Sequence, residues 1–303
     1  MSNEYYYSFR YYLDQTFHCR AHRISLNAGF SCPNRDGTLS SEGCIFCNEA
    51  GFSHSTGVAQ PLAQQIALAR TRLKERRGAE KFIAYFQNAS NTHALLAQLK
   101  QAYDAIRAFP DIVGLMIATR PDCVDEARLD LIAEYCQDYD VWIEYGLQSI
   151  HEQTLREINR NHTFRQFVAA AKLAKARGIK VTSHVILGLP GETVEHMRQT
   201  AAALAELGID GVKLHVLHVV KDTVLAEQYA AGQIALLAEA EYVSRACDFL
   251  ERLPAQCVIM RLVSDARPDV LVAPQWINDK QRIIQAIEKE FERRRTRQGF
   301  NRA

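Results

Sequence analysis

Short apolar runs recur along the chain at intervals that favour an alternating α/β fold. Each run is rich in β-branched or aromatic residues and is apolar enough to be covered on both faces, as the strands of a parallel sheet are. An initial run before the first helix brings the number of predicted strands to six. The predicted strands cover residues 22–29, 81–87, 112–119, 141–147, 180–187 and 211–219.

Amphipathic stretches lie between these runs. Apolar residues recur every three or four positions over 62–77, 163–178 and 192–208, and the last two stretches stop at a glycine, as helices often do. This alternation predicts right-handed βαβ units and a parallel sheet. Six such units form either a partial barrel or a doubly wound sheet, and the periodicity does not decide between them. In both folds the functional site lies at the carboxyl ends of the strands.

The pattern changes after about residue 232. A helix is predicted over 234–253, a strand over 256–263 and a terminal helix over 275–295, and the last residues are basic without apolar periodicity. We therefore divide the chain into a core, residues 1–232, and an extension, residues 233–303, that packs on the core and ends in a basic tail. No internal repeat or low-complexity linker indicates a second independent domain.

Composition and charge narrow the possible function classes. The 303 residues are 48% apolar and 23% charged, which is ordinary for a globular protein. The formal net charge of +1 gives no strong field for capturing polyanions, so nucleic-acid binding would depend on a local patch. The sequence has no signal-peptide core and no apolar run of about 18 residues, so we expect a cytoplasmic protein that does not enter a membrane.

Three of the eight cysteines are concentrated in one polar loop. Cys32, Cys44 and Cys47 form a C-x11-C-x2-C arrangement, in which the CxxC pair places two sulfurs on one side of a tight turn. A structural zinc site and a closed iron–sulfur cubane each take four protein ligands, and the fourth here would be Cys19, His54 or a distant residue. Two interpretations therefore stay open: a zinc loop completed by His54, or a cluster with one iron open to a substrate or cofactor. Free cysteines elsewhere are by default core residues: Cys123, Cys136, Cys247 and Cys257.

The three-cysteine loop resembles that of radical S-adenosylmethionine enzymes, in which an aromatic residue commonly precedes the last cysteine, as Phe46 does here. The stretches CPNRDG and GCIFC are similar to those of the small single-domain YhcC/YtqA-type family, which is related to the catalytic subunit of Elongator. The similarity extends over almost the whole chain. Further matching motifs follow the predicted strands: TRPD at 119–122, EYGLQS at 144–149, RNHT at 160–163, HVILGLPGET at 184–193, and VKLHVL with its continuation over 212–232.

This resemblance implies both a fold and a set of cofactors. The fold would be a partial (β/α)6 barrel of the TIM type with a small C-terminal α/β extension. A 4Fe–4S cluster would be held by Cys32, Cys44 and Cys47, and its fourth iron would bind the amino and carboxylate groups of S-adenosylmethionine. Cleavage of S-adenosylmethionine would yield a 5′-deoxyadenosyl radical, with the electron supplied by a donor of the flavodoxin or ferredoxin type.

Polar residues after the second predicted strand are candidates for binding S-adenosylmethionine. Gln87, Asn88 and Ser90 stand where many radical S-adenosylmethionine enzymes carry a Gly-Gly-Glu turn, and their amide and hydroxyl groups supply hydrogen-bond acceptors. The alternative is that this segment only caps the following helix, over 93–108, through Asn91 or Thr92.

The fourth and fifth predicted strands carry three further candidates. Glu144 interrupts an apolar run, so its carboxylate either contacts a ribose hydroxyl in the strand-end cavity or forms a buried salt bridge with Arg120 or His184. Gln148 continues the same edge of the sheet, and His184 is the candidate among the histidines on the strands. No residue is assigned a catalytic role at this point.

The resemblance also implies a substrate. Relatives in the Elongator group modify the wobble uridine of tRNA at its C5 side chain, so a tRNA modified by hydrogen abstraction is the expected substrate. Ala118 stands where those relatives usually carry an acidic residue, so details of their substrates do not transfer directly. The tail arginines at 293–295 and 297 are candidates for phosphate contacts. Two alternative functions are a zinc-loop RNA-binding module and a non-catalytic iron–sulfur protein.

Overall fold

The structure, a computed structural model, describes residues 5–48 and 60–301. Its strands are β1 (Ala21–Leu26), β2 (Lys81–Phe86), β3 (Ile112–Thr119), β4 (Asp140–Gln148), β5 (Lys180–Leu187), β6 (Gly211–Val216), β7 (Val219–Val220), β8 (Val258–Arg261) and β9 (Leu271–Ala273). Seven of them form one curled parallel sheet in the order β1-β2-β3-β4-β5-β6-β8, and β7 pairs antiparallel with β9.

Helices lie around this sheet. They are α1 (Phe9–Phe17), α2 (Leu62–Arg77), α3 (Leu96–Asp104), α4 (Glu126–Ala133), α5 (Glu152–Glu157), α6 (Phe164–Lys175), α7 (Val194–Glu206), α8 (Val224–Ala230), α9 (Glu239–Leu250) and α10 (Lys280–Arg294). In the part of the chain described, no helix combines the length and the apolar character that crossing a bilayer requires.

The strand order distinguishes the two folds that the sequence left open. From β1 to β6, each strand pairs in parallel with the next one along the chain, and the order never reverses. A doubly wound sheet would reverse its order at a switch point, whereas successive strands in one direction produce a barrel. The predicted partial (β/α)6 barrel is therefore confirmed as a half-barrel. The structure adds a seventh strand, because β8 of the C-terminal extension pairs with β6.

An apolar plug closes the amino-terminal end of the half-barrel. It is built by α1, which the sequence analysis did not predict, and the helix places Phe9, Tyr12 and Leu13 against inward-facing strand residues such as Met116 and Trp142. The larger apolar core lies between the outer face of the sheet and helices α2–α4, α6, α7, α9 and α10. With one end plugged, the interior of the half-barrel is accessible from the carboxyl ends of the strands.

The basic tail is integrated into the fold. Arg294 makes ion pairs with Asp248 at 2.7 Å, Glu251 at 3.2 Å and Glu290 at 2.7 Å, and its side chain is only 16% exposed. Arg293 pairs with Glu290 as well. The positive charges of Arg293 and Arg294 are therefore neutralised by carboxylates of the same chain.

The residues after α10 pack against the amino-terminal end of the sheet. The Gln298 amide donates hydrogen bonds to the main-chain oxygens of Pro254 at 2.6 Å and Cys257 at 2.7 Å, directly before β8. Arg295 and Arg297 are exposed. The tail thus lies at the end of the half-barrel opposite to the loop with the three cysteines. The boundary of the extension at residue 233 stays a prediction.

Truncating the chain before Arg293 should destabilise the protein. Asp248 and Glu251 would lose Arg294, and breaking a largely buried ion pair costs about 3–5 kcal/mol. Urea unfolding measures this loss. The matched control is Arg293→Ala, whose side chain is 72% exposed; it should change the free energy of unfolding by less than about 0.5 kcal/mol. Equal stability of the truncated and full-length chains would contradict the role of Arg294.

Candidate active site

A cavity of about 860 Å³ lies inside the half-barrel at the carboxyl ends of the strands. It is lined by most of the residues that the sequence singled out: Cys32, Cys44, Phe46, Cys47, Gln87, Asn88, Glu144, Gln148 and His184. Ser90 is the exception. Its hydroxyl is fully buried beside the cavity, where it hydrogen-bonds to Thr119 Oγ1 at 2.8 Å. The structure therefore brings together every predicted site residue except Ser90.

The helix-cap alternative for the segment after β2 is wrong, because α3 begins only at Leu96. Asn91 Nδ2 instead donates to the main-chain oxygen of Ala118 at 2.9 Å, on β3. Thr92 Oγ1 donates to the main-chain oxygen of Cys123 at 2.7 Å. Both side chains thus tie the segment after β2 to the segment after β3.

Three rim residues adopt left-handed backbone conformations. Asn88 and Ala89, after β2, have φ values of 72° and 53°, and Gln148 at the end of β4 has a φ of 75°. Residues other than glycine seldom adopt such values, and those that do are often found at functional sites. All three residues line the cavity. The strained turns shape its rim.

The cysteine loop is a compact turn attached to the barrel. The main-chain nitrogen of Cys47 donates to the oxygen of Cys44 at 2.9 Å, which closes the CxxC turn. Ile45 between them donates to the main-chain oxygen of Ile158 at 3.2 Å, after α5. The turn therefore holds two thiols at the cavity wall.

Three arginines surround the thiols. Arg160 Nη1 lies 3.5 Å from Cys44 Sγ, and Arg35 Nη1 donates to the main-chain oxygen of Cys47 at 2.9 Å. Arg120 is buried and close enough to Cys44 to interact with it electrostatically. Positive charge of this kind stabilises thiolates relative to thiols.

Arg160 is held against the sheet at a glycine. A Cβ at Gly146 would lie 2.5 Å from Arg160 Nη2, so a side chain there would displace the guanidinium. Arg160 instead donates from Nε and Nη2 to the main-chain oxygen of Gly146, at 3.1 Å and 2.5 Å. Among the described residues it makes no ion pair with a carboxylate. A buried cation needs a nearby negative charge, and a Cys44 thiolate supplies one.

Burial and the neighbouring Cys44 raise the pKa of Cys47 to about 11, so the protein alone does not deprotonate this thiol at neutral pH. A metal or cluster overcomes this barrier, since cysteine ligands bind in the deprotonated form. Cys19 is excluded as a fourth ligand because it precedes β1, at the opposite end of that strand from Cys32. His54 lies outside the described residues.

A cluster of buried polar side chains lies deeper in the barrel. Its carboxylate, Glu144, is two residues beyond Trp142 along β4, and Trp142 packs against the plug helix α1. Lys213 Nζ lies 2.9 Å from Glu144 Oε1 and 2.6 Å from the Tyr85 hydroxyl. Tyr85 and His184 also contact Glu144 Oε1. Glu144 thus contacts His184, one of the two partners expected for it, but its ion pair is with Lys213, whereas Arg120 pairs with Asp122.

The ionisation of this group follows from burial and from its contacts. Burial raises the pKa of Glu144, but the neighbouring His184 and Lys213 outweigh burial and hold that pKa well below its usual value. Burial lowers the pKa of His184 to about 4 and that of Lys213 to about 7. Burial also raises the pKa of Tyr85 well above 10. At neutral pH, Glu144 is therefore ionised, while His184 and Tyr85 are neutral.

The buried Lys213 should make stability depend on pH. Its pKa is about 7 in the folded protein against 10.5 for an ordinary lysine, so between these values only the unfolded chain binds the proton. The free energy of unfolding should therefore rise as the pH increases through this range. Urea unfolding of Lys213→Met should show a flatter dependence, whereas the exposed control Lys221→Met should match the wild type. If the free energy of unfolding depends on pH in the same way for Lys213→Met and the wild type, the lowered pKa of Lys213 is refuted.

Tyr85, Lys213 and Arg261 are among the cavity-lining residues that sequence reasoning missed. The signal that singled out Glu144, a charged residue inside an apolar strand, was also present at Lys213 in GVKLHVL and at Arg261 in CVIMRLV. Tyr85 carried no comparable signal, because aromatic residues in buried strands usually pack in the core.

Comparison with known proteins identifies the family. The model of the radical SAM superfamily matches residues 32–204, more than half of the chain, and begins at the first cysteine of the loop. The chain belongs to the radical SAM superfamily. The model of the radical SAM C-terminal domain matches residues 209–293. A 4Fe–4S cluster and S-adenosylmethionine are therefore the cofactors of this radical SAM enzyme.

The radical SAM relatives include both full-length and partial matches. The uncharacterized protein YtqA of Bacillus subtilis is 38% identical over 295 residues, which are 97% of this chain and 92% of YtqA. Elongator complex protein 3 of Mus musculus is 28% identical over 163 residues, 52% of this chain and 29% of that protein. The structure of an archaeal Elp3 from Methanocaldococcus infernus has the same fold, with a TM-score of 0.70, 18% identity and coverage of 92% of this chain and 64% of that chain.

Proposed function

We propose that Cys32, Cys44 and Cys47 hold the cluster and that the enzyme abstracts hydrogen from the side chain of a tRNA wobble uridine in the cytoplasm. The observation that carries the proposal is the cavity at the open end of the half-barrel. It is lined by Cys32, at which the family match begins, and by Cys44 and Cys47, and the buried Arg120 and Arg160 lie beside these thiols. When bound, the reduced cluster cleaves S-adenosylmethionine and supplies a 5′-deoxyadenosyl radical.

The residues that line the cavity divide into an upper layer at its rim and a lower layer deeper in the half-barrel. At the rim, the strained turns at Asn88 and Gln148, together with Gln87, offer polar groups for S-adenosylmethionine, and Phe46 forms an apolar wall. Ser90 would act only indirectly, through the rim segment that it supports. Glu144 and His184 lie in the lower layer, and their contact with S-adenosylmethionine stays a prediction.

The tRNA substrate rests on the similarity to Elongator complex protein 3 and on the open cavity mouth. A base in the anticodon must leave its stack to reach a reactive group inside a barrel, and a cavity that opens at the strand ends accommodates such a base. The basic tail gives this proposal little support. Arg293 is exposed but pairs with Glu290, and the exposed Arg295 and Arg297 lie at the opposite end of the half-barrel.

Anaerobic reconstitution tests the proposal directly. The protein is supplied with iron, sulfide, a reductant, S-adenosylmethionine and bulk tRNA, and both 5′-deoxyadenosine and the tRNA nucleosides are analysed. We expect 5′-deoxyadenosine and an altered wobble uridine, and neither product with Cys47→Ala. A flavodoxin or ferredoxin should replace the chemical reductant. A cluster without 5′-deoxyadenosine would favour a non-catalytic iron–sulfur protein.

Analysis of tRNA from a deletion strain tests the substrate alone. If the wobble nucleosides of the deletion strain match those of the parent strain, tRNA is not the substrate. The radical chemistry would survive that result, because 5′-deoxyadenosine formation is measured separately. Colourless protein containing one zinc per chain would instead favour a zinc-loop RNA-binding module.

A further inference from the structure

The lower layer of the cavity carries more positive than negative charge. Lys213 and Arg261 line the cavity, and Arg23 lies behind them, stacked on the Tyr85 ring with its guanidinium carbon 5.5 Å from the ring centroid. Two carboxylates also line this part of the cavity, but Glu144 already pairs with Lys213 and Asp265 with Lys280. Arg23 and Arg261 make no ion pair among the described residues. A buried excess of positive charge is unfavourable unless an anion joins it.

Arg261 has an unused hydrogen-bond donor at this position. Its Nη2 contacts the ring of His215, but its Nε is buried and has no hydrogen-bond partner. Asp265 is near enough to interact with Arg261 electrostatically, but it pairs with Lys280 at 2.5 Å. A second unused donor is Arg23 Nη1, which is buried as well. Buried polar groups are nearly always hydrogen-bonded, so an unused cationic donor in a cavity wall indicates a ligand.

We propose that Arg261 and Lys213 bind a carboxylate of the substrate at the floor of the cavity. This inference rests on the proposed function, since it defines the substrate that lies below S-adenosylmethionine in the same cavity. Arg261 provides a planar fork of N–H donors that matches the two oxygens of a carboxylate. Lys213 adds a compact positive charge on the neighbouring strand, and Lys213 and Arg261 are paired residues of β6 and β8.

A carboxylate fits this floor better than a phosphate does. The ionised carboxylate of Glu144 lies within the same layer, and one of its oxygens, Oε2, is buried without a partner. A dianionic phosphate would be repelled by that charge more strongly than a monoanion. The imidazole of His215 contributes no positive charge, because burial and the neighbouring Arg261 hold its pKa well below the usual value. With Glu144 paired to Lys213 and Asp265 to Lys280, Arg261 is the cavity-lining cation of this layer that remains for one negative group.

The test measures the binding of acetate, with inorganic phosphate as the second probe. Cluster-reconstituted full-length protein is titrated with each anion under anaerobic conditions, and the Kd is obtained by saturation-transfer NMR for acetate and by competition for phosphate. We expect Arg261→Gln to raise the acetate Kd at least tenfold, because a charge-assisted bidentate contact is lost. Arg261→Lys keeps the positive charge but loses the planar pair of N–H donors, so its acetate Kd should lie between those of the wild type and Arg261→Gln.

The matched control is Arg267→Gln. Arg267 pairs with Asp269 on the surface and does not line the cavity. Its acetate Kd should equal that of the wild type, and thermal unfolding establishes that each variant is folded. If Arg261→Gln does not fold, the acetate Kd of Arg261→Lys is compared with that of the wild type instead. Three results would overturn the proposal: the wild type binds no acetate, a folded Arg261 variant binds acetate as tightly as the wild type, or the wild type binds phosphate more tightly than acetate.

Failure of this inference is distinguishable from failure of the proposed function. Formation of 5′-deoxyadenosine is measured in the same wild-type samples. If wild-type protein forms no 5′-deoxyadenosine but binds acetate through Arg261, the radical function fails and the carboxylate site stands. If 5′-deoxyadenosine forms and acetate binding does not depend on Arg261, the radical function stands and the carboxylate site fails.

Discussion

Replacing Cys32, Cys44 or Cys47 by alanine should abolish the iron–sulfur cluster. Anaerobically reconstituted wild-type protein should be brown and contain about four irons per chain, as one cubane does. In the proposed site each cysteine would supply one thiolate and one iron would be left to S-adenosylmethionine, so loss of a cysteine would leave a second iron without a protein ligand. The Cys44 variant also removes the sulfur that lies beside the buried Arg160. Iron and sulfide analysis with absorption spectroscopy measures the loss.

Cys123→Ala is the matched control for these variants. Cys123 is half-buried and near enough to Cys32 to interact electrostatically, but it does not line the cavity. Its replacement should leave the iron content unchanged, as should replacement of Cys136. If Cys19→Ala or His54→Ala also removed the metal, the cluster would have a fourth protein ligand, and the open iron would be disproved.

The strands were predictable because this half-barrel is covered on both faces. Strands such as 112–119 and 180–187 are buried by helices outside and by the plug or cavity inside, so they appear as nearly continuous apolar runs. Their observed bounds equal the predicted ones. The predicted strand at 211–219 was too long, since β6 ends at Val216 and β7 belongs to a separate antiparallel pair.

The plug helix and the seventh strand were not predictable from local pattern. The α1 sequence, FRYYLDQTF, is rich in aromatic residues that favour strands as readily as helices, and only its burial inside the half-barrel explains them. The run at 256–263 was predicted as a strand, but nothing local indicates that β8 pairs with β6, 42 residues earlier in the chain. Such long-range pairing depends on the closure of the whole sheet.

The site was predictable as far as its residues follow strands directly. Asn88 and Gln148 stand where parallel strands end, and the carboxyl ends of such strands share one edge of the barrel. Ser90 lies four residues beyond β2 and contacts Thr119 of β3, because the left-handed residues Asn88 and Ala89 redirect the chain before it. The partners of Glu144 could not be assigned from sequence, since they depend on which strands face each other across the interior.

Replacing Glu144 by alanine should destabilise the protein more than any other truncation in the cavity. Lys213 would be left buried with no carboxylate partner, and removing one member of a buried ion pair costs about 3–5 kcal/mol. Urea unfolding measures this change. The double variant Glu144→Ala, Lys213→Met removes both charges and should recover part of the loss. If the double variant lost the sum of the two single losses, the pair would not be coupled.

Affinity for S-adenosylmethionine then separates the two roles that Glu144 can have. Its Oε1 is occupied by Tyr85, His184 and Lys213, while its Oε2 is buried without a partner and remains able to accept a ribose hydroxyl. Glu144→Gln, Lys213→Met removes both charges of this ion pair together, so neither member is left buried without the other when binding is measured. We expect this variant to keep its cluster and to bind S-adenosylmethionine more weakly by about 1.5–3 kcal/mol, the value of one charge-assisted hydrogen bond. Calorimetric titration measures the difference, with Lys213→Met alone as the reference. If the double variant and Lys213→Met bind S-adenosylmethionine equally well, Glu144 serves only in the buried salt bridge, and the rim residues bind the cofactor.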